Sequence, residues 1–288
     1  MQIQKYPKNP ILIPIWAERS FERDTVYNPG AIIKNGKVFL LYRAEDFYYK
    51  KYSSRIGLAS SKNGFIFKRF SKNPVITNNR KEEWRGCEDP RIIKVNDRFF
   101  LTYTASGKIE TSLAGAFSND LIYWRKIGIL IPNNKSGAVV QNYKYKGKYV
   151  MYFGRKIIRV AFSENLREWK IVKEPVLKPR RGYFDNCLVE GGPPPIVTKE
   201  GIIVIYNSAG EKSYFKQYSP GLAIFNKDNP TKLLFRSKKP ILEPTDYWEK
   251  YGKVNYVIFA TGLVYFKRKW LLYYGGADKS IGVAEIKF

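Results

Sequence analysis

A turn followed by a short apolar strand that ends at tyrosine recurs five times along this chain, and no other feature constrains the fold as tightly. The copies are Gly36-Lys37-Val38-Phe39-Leu40-Leu41-Tyr42, Asp97-Arg98-Phe99-Phe100-Leu101-Thr102-Tyr103, Gly147-Lys148-Tyr149-Val150-Met151-Tyr152, Gly201-Ile202-Ile203-Val204-Ile205-Tyr206 and Lys269-Trp270-Leu271-Leu272-Tyr273-Tyr274. Each is followed by a second element with a small residue at its centre, and the central Ala59, Ala116, Ala161, Ala223 and Ala284 lie 57, 45, 62 and 61 residues apart. Short strands rich in Val, Ile, Phe and Tyr between Gly, Asn, Lys and Pro turns, without helical periodicity, predict an all-β fold. About four strands per unit at this period predict a β-propeller, with five blades in a single domain over 1–288. The last repeat stops after its third strand. Lys8-Asn9-Pro10-Ile11-Leu12-Ile13-Pro14 matches the segments that close other units, Asn73-Pro74-Val75-Ile76, Glu174-Pro175-Val176-Leu177 and Lys239-Pro240-Ile241-Leu242. The N-terminal strand is therefore expected to complete the last blade and close the ring. A non-propeller sandwich is the alternative.

In a propeller the strand before each tyrosine strand is innermost and lines the central channel. Those segments hold Asn28-Pro29-Gly30-Ala31, Glu88-Asp89-Pro90-Arg91, Lys135-Ser136-Gly137-Ala138, Glu190-Gly191-Gly192-Pro193 and Phe259-Ala260-Thr261-Gly262. Asp89 and Glu190, from two different blades, would then meet in one axial cavity with Arg43, Arg55, Arg91, Lys135 and Arg155 nearby. Convergent acids and bases in a concavity form the default active-site hypothesis. Taken alone, Glu88-Asp89-Pro90-Arg91 also reads as a turn with a structural ion pair between Asp89 and Arg91, since a buried acid pair needs such compensation.

Composition prunes the chemistry. The chain has no histidine, which excludes a Ser-His-Asp triad, a His-ligated zinc and a His general base. Carboxylates are few and unclustered outside the channel, so neither a metal nor an organic cofactor is expected. Two cysteines, Cys87 and Cys187, argue against a disulfide framework and suit a reducing cytoplasm. No signal peptide and no apolar run long enough for a membrane span is read from the sequence. The 51 Lys+Arg against 25 Asp+Glu favour anionic partners. The lysines are scattered through loops, however, without a basic helix or an RNA-recognition motif, so no specific nucleic-acid partner is expected.

From end to end the chain resembles glycoside hydrolase family 130, five-bladed propellers acting on β-mannosides. The resemblance rests on an ordered set: Asn28-Pro29-Gly30-Ala31, Leu41-Tyr42-Arg43-Ala44, Ser54-Arg55-Ile56-Gly57-Leu58-Ala59, Cys87-Glu88-Asp89-Pro90-Arg91, Gly192-Pro193-Pro194-Pro195-Ile196, Pro240-Ile241-Leu242-Glu243-Pro244 and Tyr274-Gly275-Gly276-Ala277-Asp278. It implies an inverting reaction at a non-reducing-end β-mannosyl residue. It further implies Asp89 as the acid, acting through the mannose 3-hydroxyl in phosphorylases, with Asn28 and Asp278 on the mannose ring and Arg43 near the anomeric centre. Phosphorylase members carry histidines in the third and fourth tyrosine strands, where this chain has Tyr152-Phe153-Gly154-Arg155 and Ile205-Tyr206-Asn207-Ser208.

Because both histidines are missing and Glu190 stands ahead of the Gly-Pro-Pro-Pro segment, hydrolysis is the favoured expectation, with Asp89 as general acid and Glu190 as base. Inverting hydrolysis needs two carboxyls roughly 6.5–9.5 Å apart. Glu249 and Glu243 are weaker base candidates. Phosphorolysis, with inorganic phosphate as co-substrate, is the alternative, since Arg43, Arg55, Lys135 and Arg155 are retained. A catalytically silent carbohydrate-binding propeller is a third reading. Glu88, Arg91, Tyr103, Asn207 and Glu249 complete the expected substrate-binding set. Tyr103, Tyr183, Phe184, Tyr214 and Tyr256 are candidate sugar-stacking aromatics. The expected partner is a β-mannooligosaccharide or mannosyl glycoside, with linkage set by the loops Phe47 to Tyr52 and Glu211 to Tyr218, and with oligomerisation open.

Overall fold

The computed structural model describes residues 1–17, 20–47, 53–212 and 215–288; Tyr214 and most of the loop after Phe47 lie outside the described residues. The fold is all-β, with one single-turn α-helix among the described residues, α1 (Tyr247–Lys250), and a 3-10 turn at Lys81–Glu83. Among the described residues no helix is long and apolar enough to cross a membrane.

Within each unit the strands pair as antiparallel meanders, and one parallel pairing, Ser54 with Gly86, joins the first two units. β1 (Gln2–Lys5) is followed by β2 (Thr25–Lys34), β3 (Lys37–Glu45), β4 (Ser54–Ser61) and β5 (Lys68–Arg69), of which β2 to β5 pair in order. A second unit runs β6 (Gly86–Val95), β7 (Arg98–Ser106), β8 (Thr111–Ser118) and β9 (Arg125–Ile131). The third consists of β10 (Ala138–Val139), β11 (Tyr149–Phe153), β13 (Arg159–Ser163) and β14 (Lys170–Ile171), while β12 (Arg155–Lys156) leaves it to pair with β15 (Leu188–Gly191). In the fourth, β15 and β16 (Ile196–Thr198) both pair with β17 (Gly201–Lys212), which continues to β18 (Phe215–Asn226) and β19 (Asn229–Arg236). β20 (Ile258–Phe266), β21 (Lys269–Gly276) and β22 (Ser280–Lys287) form the last, and β1 supplies its outer strand. Apolar residues interdigitate between neighbouring units; Leu41, Ile56 and Leu58 of the first pack with Ile92, Leu101 and Ala114 of the second.

The N-terminal segment thus joins the last strand, but through Gln2–Lys5 rather than through Lys8–Pro14. The later stretch makes a single bridge, from Leu12 to Ile281, beside hydrogen bonds that the Asn9 side chain exchanges with the Val283 backbone. Pro10 and Pro14 lack the N–H groups that a ladder needs. The other Pro-containing segments behave alike, with single bridges from Ile76 to Ile56 and from Leu177 to Ile158. The S-x-x-L-x-x-W motif is a turn: Ser118 Oγ accepts from Leu121 N (2.9 Å), Asp120 Oδ1 from Ile122 N (2.8 Å), and Trp124 Nε1 donates to Leu121 O (3.0 Å).

Four of the five tyrosines that end the second strands share one buried device. Tyr42 donates to Glu22 (3.0 Å), Tyr103 to Glu83 (2.6 Å), Tyr206 to Asp185 (2.7 Å) and Tyr274 to Glu249 (2.9 Å). Each acid lies ahead of the unit's first strand and is paired with a cation from its outer strand, Arg69, Lys126, Arg236 and Lys5 respectively. In the third unit the preceding loop, Pro132 to Gly137, carries no acid, and Tyr152 donates instead to the Pro230 carbonyl (2.7 Å). The glycine in three of the following strands has its reason here. A Cβ on Gly57, Gly221 or Gly282 would stand 2.5, 2.4 or 2.7 Å from the ring carbons of Tyr42, Tyr206 or Tyr274.

Candidate active site

Asn-Pro and Asp-Pro dipeptides interrupt the first strands of the first two units. Proline offers no donor to the ladder, and the register shifts between Tyr27 and Gly30 and between Glu88 and Arg91. Asn28 and Asp89 consequently take positive φ, 46° and 50°. These bulges turn both side chains toward each other, and Asn28 Nδ2 donates to Asp89 Oδ1 at 2.9 Å. Asn28 Oδ1 is buried with no hydrogen-bond partner among the described residues. Arg43 Nη1 lies 3.2 Å from Asp89 Oδ1 and also 3.2 Å from Glu88 Oε2. The far side of the same guanidinium is held by Glu45 Oε1, at 2.7 Å from Nη2 and 3.0 Å from Nε. Glu45 is fully buried and also accepts from Tyr27, Thr25, Ser54 and Lys253.

A second half of the site comes from the third and fourth units. Lys135 Nζ pairs with Glu190 Oε2 at 3.0 Å, and Ser136 Oγ donates to the same oxygen at 3.3 Å. Arg155 is the direct cross-strand partner of Glu190, so the two side chains share a sheet face, and Arg155 is exposed without an ion pair among the described residues. The halves share one electrostatic field. Burial pushes the Asp89 carboxyl up, but Arg43, Lys135 and Arg91 outweigh it and hold the group below its ordinary range. Glu88 moves the other way: burial raises it, with Asp89 and Glu45 adding to the rise against Arg43. Asp278 is pushed up to about 6, chiefly by burial, with Asp89 adding and Arg43 opposing. Its carboxylate makes no hydrogen bond or ion pair among the described residues. Burial depresses Lys135, but Glu190 and Asp89 more than restore it. The Tyr218 hydroxyl is raised by burial and by Glu190 and Asp278, which places it in the same field.

The model of the family described as beta-1,4-mannooligosaccharide phosphorylase, glycoside hydrolase family 130, matches residues 11–288. The chain belongs to glycoside hydrolase family 130. Among relatives, it is 37% identical to a 1,2-beta-oligomannan phosphorylase of Thermoanaerobacter sp. (strain X514), over 100% of both chains. Among solved structures, it superposes with a TM-score of 0.94 and 33% identity on one from work on family 130 glycoside hydrolases that target β-1,2-mannosidic linkages in Candida mannan. That match covers 99% of this chain and 94% of the other. A β-1,2-mannobiose phosphorylase from Listeria innocua, solved with β-1,2-mannobiose, superposes with a TM-score of 0.89 at 26% identity, covering 100% and 97%.

Within this family 130 chain the structure brings Asn28, Arg43, Glu88, Asp89, Lys135, Glu190 and Asp278 into one field, to which Arg91 adds its charge, and gives other expected residues different partners. Arg91 does not pair with the Asp89 carboxylate. Its three guanidinium nitrogens donate to the carbonyls of Gly192 (2.9 Å), Asp89 (2.8 Å) and Gly191 (2.8 Å), bolting the second unit to the fourth. Asn207 is a similar staple, exchanging hydrogen bonds with Ala260 N (2.7 Å) and Ala260 O (2.8 Å). Tyr103 and Glu249 belong to the buried acid–tyrosine–cation sets, which removes Glu249 as a candidate base. Glu243 is exposed and accepts from Gln217 (2.9 Å). Arg55 pairs across the ladder with Ala44 while Ser54 reaches Arg43, so strand alternation turns Arg55 to the opposite face. Tyr183 is covered by the Arg180 guanidinium, 4.3 Å from its ring, and Phe184 packs on Tyr206. Cys87 and Cys187 are unpaired thiols.

Sequence reasoning missed Glu45 and Lys253, and reached Tyr218 only as the end of a loop expected to set linkage. Glu45 had a local signal, since it sits two residues after Arg43 on the same strand face. Lys253 had none, because long-range folding alone delivers it.

Proposed function

We propose that this chain is an inverting β-mannoside phosphorylase, built as a five-bladed propeller closed by its N-terminal strand, that releases α-mannose 1-phosphate from the non-reducing end of β-1,2-linked mannosides. The observation that carries this reading is the Lys135–Glu190 pair at 3.0 Å. An uncovered carboxylate would repel phosphate; one neutralised by an ammonium group, with Arg155 beside it, leaves net positive charge for the anion. The whole-chain likeness to a 1,2-beta-oligomannan phosphorylase supports the same choice.

In this reading the mannose ring lies between Asn28, whose buried Oδ1 awaits a donor, and Asp278, whose carboxylate is uncommitted. Phosphate, held by Lys135 and Arg155, attacks the anomeric carbon from the side opposite the aglycone. The C1–O bond to the aglycone breaks as the C1–O bond to phosphate forms, and Asp89 supplies the proton to the departing oxygen. Asp89 sits low in the resting site because Arg43 and Lys135 face it. A phosphate dianion beside those cations offsets their field and raises Asp89 toward the protonated state that an acid requires. Arg43 is kept off any role as a loose anion clamp by Glu45.

Hydrolysis remains a second reading, favoured by Glu190 itself, a buried carboxylate in the cluster, and by the likeness to a structure associated with β-1,2-mannoside hydrolases. Incubation with β-1,2-mannobiose with and without inorganic phosphate, followed by NMR, separates the two. Mannose 1-phosphate formed only with phosphate is the expected result. Free α-mannose formed at an equal rate without it would establish hydrolysis.

A further inference from the structure

Beside the site stands a row of aromatic rings that the reaction does not use. Phe215 stacks on Tyr256 at 4.2 Å between ring centroids, Tyr256 meets Tyr251 at 6.0 Å, and Tyr251 meets Tyr247 at 4.9 Å. Phe215, Tyr251 and Tyr247 are 39%, 46% and 78% exposed. Scattered exposed aromatics need no explanation; four in contact make a contiguous apolar surface, a feature that binding sites use.

The row is continuous with the cleft. Tyr256 O accepts from Tyr218 N at 2.9 Å, and the Tyr218 hydroxyl shares the field of Glu190, Lys135 and Asp278. On its other side the same loop sends Lys253 to Glu45, 2.6 Å away, the residue that holds Arg43. The loop is also stiff. Glu249 is buried and accepts from Thr245 N, Asp246 N, Tyr274 and Lys5, while Tyr256 N and Val257 N donate to the Lys250 and Glu249 carbonyls. Tyr256 is held at φ 57°, a conformation that a bulky residue keeps only where its surroundings over-determine it. Rings fixed in advance lose little freedom on binding. Tyrosine presents an apolar face to sugar C–H groups and a hydroxyl to sugar hydroxyls.

We propose that the Phe215–Tyr256–Tyr251–Tyr247 row is a track for the sugar units of an oligomannoside beyond the bond being cleaved, so that the enzyme selects longer chains over the disaccharide. This rests on reading the cleft as a β-mannoside site.

The test compares full-length wild type with Tyr251→Ala, Tyr247→Ala and Tyr251→Phe on β-1,2-mannosides from mannobiose to mannohexaose with phosphate, and records saturation-transfer NMR of the same sugars. Wild type is expected to show higher kcat/KM for the hexaose than the biose. Each alanine variant should shrink that ratio about tenfold, the loss expected from one buried ring face, and Tyr251→Phe should keep it. A ratio unchanged in both alanine variants overturns the track. So does a change in sedimenting mass in those variants, which would make the row a subunit contact. Turnover in water alone defeats only the phosphorolysis reading, and the ratio still decides. If no mannoside is turned over, the functional reading fails. Saturation transfer to distal sugars then supports the track if the alanine variants lose it, and overturns it if wild type shows none.

Discussion

At the scale of single residues, the site depends on how unlike charges divide a small buried space. Arg43 Nη1 faces both Glu88 and Asp89, and the pair responds by splitting, Asp89 low and Glu88 high. Asp89→Asn keeps the hydrogen bond with Asn28 within reach but carries no transferable proton; turnover should fall about a hundred- to ten-thousand-fold with the circular-dichroism spectrum and Tm little changed. Lys135→Met removes a cation that depresses Asp89. The alkaline limb of the kcat/KM profile, where Asp89 loses its proton, should move to higher pH, and the phosphate KM should rise. Asp278 makes the opposite kind of prediction. Its folded-state value of about 6 lies above the ordinary 3.8, so the unfolded chain ionises first and stability is lost as pH rises from about 4 to 6. Asp278→Asn should therefore raise stability at pH 7 by up to about 3 kcal/mol, with no gain at pH 3.5, while activity falls; thermal melts at the two pH values check it. Asp89 and Glu190 could be located from residue order because both flank recognisable Gly- or Pro-rich segments. The protonation of Asp89 could not, since it depends on Arg43 and Lys135, each more than 40 positions away in the chain.

At the scale of the strand element, the recurring tyrosine is legible as a repeat, but its purpose is not. Tyr42, Tyr103, Tyr206 and Tyr274 each close a buried set with an acid from the preceding loop and a cation from the outer strand. Breaking such a set leaves a charge buried without its partner. Glu83→Ala should cost about 3 kcal/mol, because Lys126 loses its ion-pair partner and Tyr103 its acceptor, while Lys126 keeps its bonds to Thr77 O and Asn79 Oδ1; urea unfolding measures it. Gly57→Ala should destabilise as well, since its Cβ would enter the Tyr42 ring at 2.5 Å. The device also explains which expected binding residues belong to the scaffold. Tyr103 and Glu249 carry the residue types of a sugar site, and only the positions of Glu83 and Lys5 show that they are occupied elsewhere. The third unit lacks the acid, and its short loop instead delivers Lys135 to Glu190.

At the scale of the whole molecule, the last unit is completed from the other end of the chain. Gln2–Lys5 pairs with Ala284–Lys287, and Lys5 neutralises Glu249, 244 residues away. Lys5→Met should lower Tm by several degrees, on the order of 3 kcal/mol for an unpaired buried carboxylate, and scanning calorimetry would show it. The all-β class, the five-fold repetition, the joining of the N-terminal segment to the last strand and the family were determined by sequence alone, because each is written in patterns spanning a few residues: alternating apolar positions, turn residues, Asx-Pro interruptions and ordered motifs. Tertiary structure alone decided that Gln2–Lys5, not Lys8–Pro14, is the outer strand, that Arg91 and Asn207 bind backbone carbonyls, and that Lys135 covers Glu190. These outcomes turn on which buried charge meets which partner across tens to hundreds of residues, and a Coulombic or hydrogen-bonding choice of that kind has no periodicity for a sequence to display.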